Sequence, residues 1–129
     1  MRKNITLTIV SLLSVLLMTF HLTHDVMHGV DDPKGMKVGA LILVVWMCGT
    51  VMFAGRLWGF VITFLGGVFA AAMPVLHTMG RSPVRWGFFF VWTLYALGVT
   101  GAFAAVLSVI GMWRLRSKRG ATAPASSSS

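Results

Sequence analysis

ITLTIVSLLSVLLMTFHLTHDVM, residues 5–27, contains no Lys, Arg or Glu, and its single Asp comes two residues from its end. About 20 consecutive apolar residues carry a helix across roughly 30 Å of hydrocarbon, so this run is long enough to span a bilayer. The preceding "MRKN" resembles the basic start of a secretory signal. The apolar run exceeds a signal core, however, and "TFHLTHDVMHG" offers no small-residue cleavage site, so a retained first transmembrane helix is expected.

Working outward, three further runs follow at about residues 38–54, 57–79 and 86–113, each free of Lys and Arg, and Asp25 is the only carboxylate inside any of the four. The 129-residue length alone would suit one soluble domain. A hydrophobic content of 57%, a charged content of 11% and a mean hydropathy of +0.83 point instead to an integral membrane protein. Backbone polar groups in lipid must be satisfied within the segment, and the runs lack the period-2 alternation of a barrel strand. The fold class expected is therefore all-α, an integral membrane four-helix bundle over residues 1–119. "GATAPASSSS", residues 120–129, is a Ser-rich tail expected to be disordered, since its composition cannot bury a core.

Basic residues orient the bundle. With the N-terminus inside, Arg2, Lys3, Arg56, Arg114, Arg116, Lys118 and Arg119 fall on the inner side, and Lys34, Lys37, Arg81 and Arg85 on the outer side. The asymmetry favours both termini in the cytoplasm, and the expected location is a bacterial inner (plasma) membrane. The net charge of +8 then needs no nucleic acid. "WRLRSKRG" reads as the cytoplasmic flank of helix 4, where basic side chains meet anionic headgroups. "VDDPKG" and "GRSPVR" read as outer turns.

Chemistry is concentrated at one place. His21, His24, Asp25 and His28 stand at i, i+3, i+4 and i+7, which puts all four within an arc of roughly 100° on one helix face. Alternating topology brings His77, at the far end of helix 3, to the same outer depth. Ionisable groups at membrane depth face the bundle interior or water. Imidazole is the commonest biological metal ligand, and i, i+4 spacing lets two ligands from one helix reach one ion. Asp25 lies near a helix C-terminus, where the macrodipole disfavours an anion, so a cation is expected to compensate it. Pro74, three residues before His77, is placed to kink helix 3 and tilt His77 inward. The metal-ligand set is thus His21, His24, Asp25, His28 and His77, for one Zn or Cu ion or a single b-type haem. Met27, Met36 and Met79 lie at the same depth and would suit Cu(I). Against this stands a plain interfacial role, in which histidines near a helix C-terminus cap carbonyls and complement the dipole.

Other classes fit less well. Membrane desaturases use many more histidines, on the cytoplasmic side, and two-haem b-type cytochromes need histidine pairs near both faces, whereas the inner half here has none. Small multidrug transporters carry an embedded acid in helix 1, but this chain has no Glu and Asp25 is near the edge. The single Cys48 rules out a CxxC redox motif and reads as a packing residue. Thr8, Ser11 and Thr19 are expected to bond their own backbone carbonyls rather than line a channel. The tryptophans, and "WGFFFVW" at 86–92, read as interface anchors and packing groups. Gly66 with Ala70, Gly67 with Ala71, Gly98 with Ala102 and Gly101 with Ala105 form small-residue stripes for close helix packing, within the chain or in a homo-oligomer. The functional expectation is a non-enzymatic binding protein or accessory subunit with an outer-side ligand cluster. The alternative is a structural or assembly partner of a larger membrane complex with no ligand of its own.

Overall fold

Each of the four apolar runs is a helix in the computed structural model, which describes residues 5–27, 33–80 and 87–121. The helices are α1 (Ile5–Met27), α2 (Pro33–Met52), α3 (Leu57–Gly80) and α4 (Phe88–Ala121), and no strand occurs among the described residues. All four are long and apolar enough to cross a membrane. Their edges differ from the expected ones at two places. α2 begins at Pro33 rather than near Val38, because proline suits the first position of a helix, where its missing N–H costs nothing. α4 runs past Trp113 to Ala121, because "RLRSK" consists largely of good helix formers.

The polarity of the molecule is inverted relative to a water-soluble bundle. Large apolar side chains cover the outside, among them Ile9, Leu16, Leu41, Leu65, Val99 and Val106. The buried positions of α1 are Ser11, Ser14, Val15, Met18, His21 and Asp25, spaced three and four apart along one face. Lipid tails are as apolar as leucine, so burying leucine gains little and helix association falls to close packing and polar contacts. α1 obeys that rule by turning its polar stripe inward.

Each helix packs against its chain neighbours, α4 returns to α1 to close the ring, and α3 with α4 form the most extensive interface. Small residues set that interface. A Cβ on Gly67 would stand 2.6 Å from the Gly101 carbonyl oxygen, and one on Gly101 would stand 2.6 Å from Ala70 Cβ. Gly98 admits the Pro74 ring, and Gly66 lies flat under the Trp46 indole of α2. The glycines of these stripes are therefore used within the chain. The α2–α3 connection is equally tight: Arg56 N–H donates to the Phe53 carbonyl at 3.0 Å, with Gly55 at φ 79°, the backbone of a type II turn that favours glycine.

Two polar groups divide the interior with an apolar layer between them. Midway along the bundle, Val15, Met18, Trp46, Ala70 and Leu97 form the buried cluster. Towards the start of α1, three side chains close a hydrogen-bond ring. Trp46 Nε1 donates to Ser11 Oγ at 3.1 Å, and Thr50 Oγ1 donates to the Trp46 carbonyl at 2.9 Å. Ser11 Oγ and Thr50 Oγ1 are 2.7 Å apart, and with Thr50's proton already committed, Ser11 is the donor. The ring begins and ends on Trp46, which is 1% exposed. One expectation changes here. Thr19 does donate to its own backbone, at Val15, but Ser11 bonds across to α2, because it shares the inward face with His21. Trp46 is one of the packing groups, buried in the core, unlike the exposed Trp58, Trp92 and Trp113.

Candidate metal centre

At the other end of the apolar layer, α1, α3 and α4 bring five side chains together. His21 and Asp25, one helical turn apart, are both buried, and His21 Nε2 lies 3.3 Å from Asp25 Oδ2. α3 supplies His77, whose Nε2 lies 3.8 Å from the same oxygen. His24 approaches the opposite side of the carboxylate, with Nδ1 at 3.7 Å from Oδ1. Its side chain is 28% exposed, against 1% for His21.

Three of these residues satisfy a simple coordination criterion. His21, Asp25 and His77 each offer one donor atom, and the three atoms lie within 4.8 Å of one another. A tetrahedral ion with bonds near 2.0–2.1 Å separates its ligand atoms by about 3.4 Å, so the group needs only a small contraction to close on one. His77 is already oriented for that role. Its Nδ1 donates to the Met73 carbonyl at 3.1 Å, and its Nε2 faces Asp25 Oδ2. A hydrogen bond from the second ring nitrogen to a backbone carbonyl is the usual outer support of a ligating histidine.

α4 closes the site with an aromatic wall. Phe90 is buried, and its ring centroid lies 4.4 Å from that of His24, 5.2 Å from His21 and 6.0 Å from His77. The His21 and His77 rings meet edge to face at 4.7 Å. Excluding water from one side lowers the local dielectric and strengthens the ionic contacts inside.

The structure thus gathers His21, Asp25 and His77, sets His24 beside them, and leaves His28 outside the described residues, as it does Arg81 and Arg85. Of the three methionines at this depth, Met27 and Met79 are 79% and 83% exposed and turn away from the cluster. Phe90 is the member that the aromatic-belt interpretation of "WGFFFVW" overlooked. Its signal was present: stepping back from Gly101 by three or four residues gives Leu97, Leu94 and then Phe90, all on the buried face of α4. No protein-family model, curated protein or solved structure matches the chain.

Proposed function

We propose that the chain is a small integral membrane metal-binding protein that holds one transition-metal ion through His21 Nε2, Asp25 Oδ2 and His77 Nε2. The observation that carries this is the arrival of His77, from a different helix, at the same carboxylate oxygen that His21 faces. Three protein ligands leave a fourth position for water or a small ligand. Two imidazoles and a carboxylate suit Zn or Cu(II). The exposure of Met27 and Met79 argues against either as a thioether ligand for Cu(I). A haem needs its two imidazoles on opposite faces of a flat macrocycle, and rings in edge contact at 4.7 Å leave no slot for one, so an ion is favoured over a b-type haem.

Metal analysis of protein purified after growth with added Zn, Cu or Fe tests this. One ion per chain, removed by chelator without loss of helicity, is the expected result. A metal-free and haem-free protein under all three supplements would leave the assembly-subunit alternative standing.

The basic asymmetry supports an orientation with both termini in the cytoplasm of a bacterial inner membrane, which places the metal centre on the outer side. Reporter fusions should give a cytoplasmic signal from the C-terminal tail and an outer signal from a fusion within residues 29–37. A periplasmic signal from the tail would turn the centre to face the cytoplasm.

A further inference from the structure

α4 is too long for the bundle that it belongs to. Its 34 residues extend about 51 Å at 1.5 Å per residue, against roughly 30 Å of hydrocarbon. The excess is at its C-terminal end. Gly111 packs on the Phe60 ring, which puts Arg114 level with Leu57, the first residue of α3, because the two helices run in opposite directions. From Leu115 to Ala121 the helix continues for about 10 Å beyond that level.

Charge and length together say what surrounds this overhang. Arg114, Arg116 and Lys118 are exposed. At 100° per residue Lys118 returns to within about 40° of Arg114, while Arg116 lies on the opposite side, so the charges encircle the helix. A helix lying flat on a membrane would keep its charges on one face. One that stands upright through the headgroups would carry them all round. Arg119 continues the basic run, Arg56 adds a further exposed charge at the same end, and no Asp or Glu occurs anywhere after Asp32 to neutralise them. The polar layer of one leaflet is about 5–8 Å thick, the difference between a bilayer of about 40–45 Å and its hydrocarbon core divided over two faces. The overhang matches that layer and ends just beyond it. Trp113, exposed immediately before the first charge, sits where an interfacial anchor belongs.

We infer that residues 114–118 of α4 form a basic collar that binds the phosphates of anionic phospholipid headgroups, fixing the depth of α4 in the leaflet that holds the start of α1 and the last turns of α4. A soluble acidic protein or a nucleic acid would need a basic surface that reaches past the headgroups, and this one stops there.

The test uses the full chain in nanodiscs of phosphatidylcholine containing a minority of phosphatidylglycerol, with retained lipids identified by native mass spectrometry. Phosphatidylglycerol should be enriched around the protein relative to the bulk and should dissociate as salt is raised. Added inorganic phosphate should not displace it. The triple variant Arg114→Gln, Arg116→Gln, Lys118→Gln should lose at least about fivefold of the enrichment, the change expected from even one basic residue near an anionic surface. A charge-conserving Arg114→Lys, Arg116→Lys variant should keep it. Equal retention of the two lipids by the wild type, full enrichment in the Gln variant, or loss in the Lys variant would each overturn the proposal.

Discussion

Replacing His77 with alanine is expected to strip the metal ion from the chain while leaving the four helices in place. His77 is the only histidine that another helix brings to the cluster, and it provides one of three converging donors. Loss of a residue that merely supports a ligand costs about 10–100-fold in affinity, so loss of a ligand itself should exceed about a hundredfold. The structural cost is small by comparison, about 1 kcal/mol for the hydrogen bond to the Met73 carbonyl. His21→Ala should behave in the same way. His24→Ala provides the contrast, because His24 faces the other carboxylate oxygen, and it should keep a stoichiometric ion with a loss of affinity no larger than the roughly 10–100-fold of a supporting residue. Metal content and competition with a calibrated chelator separate these outcomes. Equal retention by His77→Ala and wild type would remove the centre from consideration.

The second large effect is expected at Gly101. A single added methyl there meets Ala70 Cβ at 2.6 Å, the Gly67 carbonyl oxygen at 2.7 Å and Ala71 N at 2.9 Å. Two of the three obstacles are backbone atoms, which cannot rotate away, so α3 and α4 must separate. Gly101→Ala should destabilise the bundle by about 2–3 kcal/mol, the upper part of the usual overpacking range. Gly120→Ala makes a matched control, since nothing lies within 4 Å of its added Cβ, and there the higher helix propensity of alanine should give no loss of stability. Denaturation from mixed micelles compares the two. Indistinguishable midpoints would mean that the helices do not approach at Gly101 as closely as described.

Much of this was legible in the sequence because lipid imposes one dominant rule, that a charge-free stretch of sufficient length is a helix. The four helices follow from that rule alone. The pairing of His21 with Asp25 follows from helical periodicity, and the arrival of His77 follows from counting crossings. What the rule does not supply is helix phase. Phe88, Phe89 and Phe90 are equivalent in composition, and only the packing of Gly101 against Gly67 turns the third of them inward. The same holds for Trp46, which resembles the other tryptophans until Gly66 leaves space for its ring. Hydroxyl partners are hidden for a further reason. Ser11 and Thr19 both have a backbone carbonyl one turn away, and the choice between that and a neighbouring helix depends on which face is buried.

The apolar layer between the two polar groups makes the bundle one-sided. Met18, Ala70 and Leu97 are buried at the level between Asp25 and the Ser11–Thr50 ring, and none of them offers a hydrogen-bonding side chain. A charged species at that level would meet a barrier of several kcal/mol. The hydroxyl ring below gives it no onward step, since its protons are already shared among its own members. With Asp25 holding an ion as proposed, that layer would insulate it from the far end of the bundle, and exchange is expected from the side on which the His24 side chain is exposed.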